Sequence, residues 1–165
     1  MRIMAIDPAG EHNSENAGNG TTGLAYSENG EVISLSERKA SDYRNTLDYW
    51  KGIFVAIDNW NPHHVIIEGY RLYNHRGMSA QTQSNSTLMT PQLIGAIRMF
   101  LYQQNIPYTI QYASEVKTRW SDEILIANGY LEEGNLFKGK QTNAHKRDAL
   151  RHLVHYLTYK AGDAK

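Results

Sequence analysis

Two short stretches decide the reading of this chain: Ile3-Met4-Ala5-Ile6-Asp7-Pro8 and Val65-Ile66-Ile67-Glu68. Each is a run of apolar residues that stops abruptly at one carboxylate. Uninterrupted apolar runs of this length suit strands buried on both faces, as in a sheet covered by helices. In such sheets ligands bind beyond the carboxyl ends of the strands, where the winding reverses. If the two runs are parallel neighbours, about 4.8 Å apart, Asp7 and Glu68 stand side by side there. Two carboxylates so close repel, and one takes up a proton unless a cation lies between them. Hard divalent cations such as Mg²⁺ favour carboxylate oxygens. Asp7 and Glu68 are therefore candidate metal ligands.

Outward from these runs, the chain divides into strands first and helical crossovers later. Residues 8 to 20 are Gly, Asn, Glu, Ser and Pro-rich and predict a mobile loop. Thr22 to Ser27 and Glu31 to Ser36 read as strands joined at Glu28-Asn29-Gly30, where Asn-Gly is a strong hairpin signal. Asp42 is placed to cap a helix running to about Trp60, with Tyr43, Leu47, Trp50, Phe54 and Ile57 along one stripe. Residues 69 to 87 are polar and mixed. Pro91 to Gln104 reads as a helix apolar on much of its circumference, and Pro107 to Tyr112 as a fifth strand. A helix is expected around Asp122 to Asn128, then a polar loop over 134 to 143, then a last helix over Ala144 to Tyr159. The order β-β-β-α-β-α-β-α predicts one α/β domain over residues 1–165. Its mixed five-stranded sheet has three antiparallel strands, then two parallel ones, flanked by helices.

The last helix supplies a third group. Leu150, Leu153, Val154 and Leu157 form its buried stripe, while His145 and Asp148, three residues apart, share a different face. Lys146 and Arg147 fall in line with the stripe. Because unpaired charges are costly to bury, the first turn is expected to project toward solvent or a ligand.

Composition narrows the class. Length fits one domain, and 41% hydrophobic residues are enough for one core. Cysteine is absent, which rules out disulfides and zinc-thiolate sites and suits a reducing cytoplasm. The opening residues lack the apolar run of a secretory signal, and no stretch approaches the ~20 apolar residues of a membrane span. With 17 basic and 17 acidic residues the net charge is zero, so any nucleic-acid surface must come from charge distribution.

In four places the sequence resembles the RuvC-type Holliday junction resolvases of the RNase H-like superfamily. The first is Ile3 to Pro8 with the later Thr22-Gly23-Leu24-Ala25, similar to the family's opening motif and first catalytic aspartate. The second is Val65 to Glu68, similar to its second carboxylate strand. The third is Tyr112-Ala113-Ser114-Glu115-Val116-Lys117, similar to the stretch after its fifth strand. The fourth is His145-Lys146-Arg147-Asp148-Ala149-Leu150, similar to its terminal motif. The order is right and the coverage nearly complete. Ala9 stands where a glycine is usual, the loop after Asp7 is longer, and His145 replaces the usual aspartate.

The resemblance implies an RNase H-like fold and an endonuclease that cuts four-way or other branched DNA in a bacterial or phage-infected cell. It implies two Mg²⁺ or Mn²⁺ ions per site, held by Asp7, Glu68, His145 and Asp148, with His145 acting either as ligand or in orienting the water. Lys117 would meet a phosphate. Tyr70 and Tyr73 would stack on unpaired bases, with Arg71 and Arg76 on backbone phosphates; a loop covering the core edge is the plainer reading of that segment. Symmetric cutting implies a C2 homodimer, for which Gly95 and Ala96 on the second long helix would allow close approach. The alternative is another RNase H-like nuclease, acting on DNA or RNA–DNA hybrid in phage nucleic-acid processing.

Overall fold

The structure is a computed structural model that describes residues 1–15, 18–71 and 88–160. Tyr73 and Arg76, both expected to contact DNA, lie outside the described residues. Strands β1 (Arg2–Asp7), β2 (Thr21–Glu28), β3 (Glu31–Lys39), β4 (His64–Gly69) and β5 (Tyr108–Tyr112) form one sheet in the order β3-β2-β1-β4-β5. The β1–β2 and β2–β3 pairs are antiparallel, and the β1–β4 and β4–β5 pairs are parallel. This is the expected mixed sheet. At the tip of the first hairpin Asn29 and Gly30 both take positive φ, 51° and 90°, as a two-residue type I′ turn requires.

Alternation along the strands divides the core into two layers. Met4, Ile6, Leu24, Val65 and Ile67 face helices α1 (Thr46–Trp60) and α2 (Met89–Gln103). Ile3, Ala5, Ala25 and Ile66 face Ala149, Leu153 and Tyr156 of helix α5 (Ala144–Tyr159). The odd positions of β1 and the even positions of β4 therefore point at α5. Asp7 and Glu68 continue these two rows to the strand ends. Two short helices, α3 (Ala113–Val116) and α4 (Asp122–Ala127), follow β5 and close a third cluster around Val116, Trp120 and Leu125 beneath α5.

Several local expectations are corrected. Asn45, not Asp42, caps α1, accepting from the Asp48 amide, and Asp42 belongs to a separate 3-10 turn. Tyr43 stays extended because its ring packs on Tyr49, with centroids 5.6 Å apart, and fills the space over Gly52. A Cβ at Gly52 would lie 2.2 Å from the Tyr43 hydroxyl. With the helix starting at Thr46, its buried face is Tyr49, Trp50, Ile53, Ala56 and Ile57, and Leu47 points to solvent. Helix α2 starts two residues before Pro91, which sits in the first turn, where its missing N–H costs nothing.

The described part of the segment after Asp7 is pinned rather than loose. Ala9 donates to Thr22 Oγ1, Gly10 donates to Thr90 Oγ1, and Trp50 Nε1 donates to the Gly10 carbonyl. The expected loop over 134 to 143 contains a small hairpin, β6 (Leu136–Phe137) with β7 (Lys140–Gln141). Lys146 and Arg147 do not project into solvent. They pair with Glu37 at 3.7 Å and Asp122 at 3.1 Å, acids that sequence alone had not placed beside them.

Candidate active site

The carboxyl ends of the strands hold a row of four residues in register. Gly23 of β2 is the partner of Asp7 in β1, Ile6 pairs with Ile67 so that Asp7 adjoins Glu68, and Glu68 is the partner of Gln111 in β5. All four lie on the face covered by α5, whose first half crosses the row. Asn143 caps that helix, accepting from the Lys146 amide, and a second hydrogen bond ties the Asn143 amide group to Glu37. The cap and the Lys146–Glu37 pair fix the helix start above the sheet.

Gly23 determines how closely α5 approaches. A Cβ there would lie 2.0 Å from the His145 carbonyl oxygen and 2.4 Å from its carbon. The helix backbone thus rests directly on the β2 backbone, a contact open only to glycine. That approach brings Asp148 down to the strand-end carboxylates. Oxygens of Asp7, Glu68 and Asp148 all lie within 4.8 Å of one another. Their side chains are 14%, 15% and 15% exposed, so the cluster is sheltered but open on one side.

Four cationic or ring groups surround it. His145 Nδ1 lies 3.1 Å from Asp7 Oδ2. Lys117, after α3, sends its ammonium 2.9 Å from Asp148 Oδ2 and 3.7 Å from Glu68 Oε1. His152, fully buried, lies 3.0 Å from Glu68 Oε2. Arg151 holds Asp148 from behind; its guanidinium also bonds Asp122 and donates through Nε to the Trp120 carbonyl at 2.8 Å.

The ionisation of the cluster follows from these neighbours. Burial pushes Asp7 up to about 6; the His145 hydrogen bond opposes this, and the charges of Glu68 and Asp148 add to it. Burial acts on Glu68 in the same sense but is outweighed by His152 and Lys117, so its carboxyl is held below the usual range. The hydrogen bond to Asp7 lifts His145 above an ordinary histidine. Burial would lower Lys117, but Asp148 and Glu68 raise it on balance. A carboxyl pushed up in this way by burial and by its acidic neighbours marks a site short of positive charge. Three hard oxygen donors with that deficit fit a divalent cation. The Lys117 ammonium between two of them partly fills the same electrostatic role.

Sequence reasoning placed Asp7, Glu68 and Asp148 together, and the structure does so. It brings Lys117 and His145 to the same cluster, although His145 contacts Asp7 and stands outside the three-carboxylate group. Tyr70 and Arg71 sit exposed just beyond β4, and the Arg71 guanidinium lies 3.7 Å from the centroid of the Tyr112 ring. Three residues of the site were missed: Gln111, Arg151 and His152. A signal for the last was present, because His145, Asp148 and His152 are spaced three and four apart and so share one helical face.

Among solved structures the chain is similar to RuvC of T. thermophilus in complex with a Holliday junction substrate. The TM-score is 0.65 at 17% identity, over 100% of this chain and 98% of that one. It is also similar to the yeast mitochondrial Holliday junction resolvase Ydc2, at a TM-score of 0.56 and 13% identity over 96% of this chain and 78% of that one. A third similar structure is the Fowlpox virus resolvase with its Holliday junction DNA, at a TM-score of 0.51 and 14% identity over the whole of both chains. No protein-family model and no curated protein matches the sequence. The likeness extends along the whole chain, and with the sheet order above it gives the conclusion that this protein has the RNase H-like fold in the form found in RuvC-type resolvases.

Proposed function

We propose that the chain is a structure-selective DNA endonuclease that resolves four-way junctions by metal-dependent phosphodiester hydrolysis. The observation that carries this reading is the convergence of Asp7, Glu68 and Asp148, from three distant parts of the chain, within 4.8 Å at the open end of the sheet. The fold shared with solved junction resolvases supports the choice of substrate. Asp7, Glu68 and Asp148 would hold the ions. The chemistry that Mg²⁺ or Mn²⁺, two ions per site, supplies when bound is acidification of a water and neutralisation of the departing 3′-oxygen.

The remaining groups act around those three. His145 keeps Asp7 oriented through Nδ1 and holds a proton beside it, which suits a water-orienting role better than ligation. Lys117 holds Glu68 and Asp148 together against their mutual repulsion, and its 43% exposed side chain leaves the ammonium within reach of a backbone phosphate arriving at the site. Tyr70, exposed at the end of β4, offers a face on which an unpaired base can stack, and Arg71 beside it a charge for phosphate. Cutting two symmetric strands calls for a C2 dimer. Helix α2 offers it exposed Met99 and Tyr102, and open space at Gly95.

The test is incubation with synthetic four-way junction, linear duplex and RNA–DNA hybrid, with and without Mg²⁺, for the natural chain and Asp7→Asn. Paired symmetric nicks in the junction, lost in the variant, are expected. Equal cutting of all three substrates would instead assign a general RNase H-like nuclease.

A further inference from the structure

Behind Glu68 lies a buried pair whose polar atoms are matched in an unusual way. Glu68 and Gln111 are register partners on adjacent strands, facing α5, and the His152 ring reaches both. Its Nε2 is 3.0 Å from Glu68 Oε2, and its Nδ1 is 3.0 Å from Gln111 Oε1. Both His152 and Gln111 are fully buried, and the Gln111 amide nitrogen has no hydrogen-bond partner among the described residues. The carboxylate of Glu68 can only accept, so Nε2 carries the hydrogen and donates.

Two proton arrangements satisfy the other ring nitrogen. A charged ring donates from Nδ1 to the Gln111 carbonyl. A neutral ring accepts at Nδ1 from the Gln111 amide, turned by half a rotation about its last bond. Glutamine is both donor and acceptor, so either arrangement leaves Nε2–H on Glu68. An aspartate or glutamate at 111 would favour the charged ring alone, and a leucine would leave Nδ1 without a partner. The free amide nitrogen is the mark of a group able to serve in both senses.

The geometry points to His152 as a positioning residue: we propose that it commits Oε2 of Glu68, so that Oε1 alone is presented to the cation site, with Gln111 fixing the plane of the ring. Oε1 is the oxygen that Lys117 approaches. A carboxylate free to rotate could offer either oxygen or both. One held by a buried imidazole offers a single donor in a fixed direction, next to Asp7 and Asp148. The inference rests on the reading of the three carboxylates as a metal centre and deepens it. Partners that orient a ligand in this way commonly contribute about 10–100-fold to metal affinity.

The test is titration calorimetry with Mn²⁺ alone, on the full chain carrying His152→Leu or His152→Gln, beside cleavage kinetics on the junction. Leucine removes both ring contacts; glutamine keeps an N–H near the place of Nε2. His152→Leu is expected to weaken Mn²⁺ binding roughly 10–100-fold and to lower kcat with little change in KM. Glutamine is expected to restore most of the lost affinity. A folded leucine variant that binds Mn²⁺ as tightly as the natural chain would overturn the proposal, and so would a glutamine variant as weak as leucine.

If the leucine variant shows no cooperative melting, His152→Asn, too short to reach Glu68, replaces it, and equal affinities for asparagine and glutamine overturn the proposal. A natural chain that binds no Mn²⁺ refutes this inference together with the metal centre. One that binds Mn²⁺ but leaves the junction uncut refutes the substrate reading and leaves the positioning role standing.

Discussion

Substituting Gly23 with alanine adds one carbon at the point where α5 rests on β2. The new Cβ would start 2.0 Å from the His145 carbonyl oxygen and 3.0 Å from the Lys146 nitrogen, both backbone atoms that no side-chain rotation can move. Ordinary carbon–oxygen contact begins at about 3.4 Å, so the first turn of α5 must lift by about 1.4 Å or β2 must sink by as much. Either shift carries Asp148 and His145 away from Asp7 and stretches the 3.1 Å His145–Asp7 contact beyond hydrogen-bonding distance. Overpacking of this kind costs about 1–3 kcal/mol of stability. Displacement of catalytic groups by about 1 Å commonly costs about 100-fold in rate. Junction cleavage by Gly23→Ala under single-turnover conditions should therefore fall by about two orders of magnitude, while a cooperative thermal transition survives at lower temperature. A folded Gly23→Ala enzyme cutting at the natural rate would show that the closeness of α5 to β2 does not set the site.

Four further outcomes follow from the same geometry. Asp7→Asn should abolish cleavage yet stabilise the metal-free protein by about 1–3 kcal/mol in chemical denaturation at neutral pH. The reason is that the carboxyl, about 6 when folded and 3.8 as a free group, loses native-state stability as pH rises through that window. In the natural chain Mn²⁺ affinity should correspondingly climb as pH passes about 6, since Asp7 must lose its proton before it can ligate. Lys117→Ala should slow junction cleavage while leaving Mn²⁺ affinity, read by calorimetry, no weaker than in the natural chain, because the ammonium competes for the same oxygens. Arg151→Met should destabilise the fold by about 1.5–3 kcal/mol in urea, since Asp122 and Asp148 lose their shared guanidinium while each keeps one cationic partner, Arg147 and Lys117.

The sheet was legible because its strands obey simple rules. β1 and β4 are buried on both faces and read as unbroken apolar runs, and Asn29-Gly30 fixes the first hairpin. Asp7 and Glu68 stood out because each ends such a run. The start of α1 was misplaced because Asp42 and Asn45 are both good caps, and only the packing of Tyr43 over Gly52 selects between them. Lys146 and Arg147 looked unburiable because Glu37 and Asp122 are far away in sequence; only the tertiary fold reveals the pairs. Gly23 was visible as part of a motif, but its reason, a helix backbone resting on a strand backbone, exists only in three dimensions. His152 was overlooked because its neighbours Leu150, Leu153 and Val154 drew attention to the apolar stripe. A buried histidine becomes meaningful once Glu68 is known to lie against it.

The proposed activity depends on three carboxylates gathering divalent ions at the end of the sheet, and crystals soaked in Mn²⁺ test this most directly through anomalous scattering. Strong peaks enclosed by the oxygens of Asp7, Glu68 and Asp148, absent in crystals of Asp7→Asn, are the result expected. A map with no peak there, or with Mn²⁺ bound only at other surfaces of a well-ordered molecule, would contradict it.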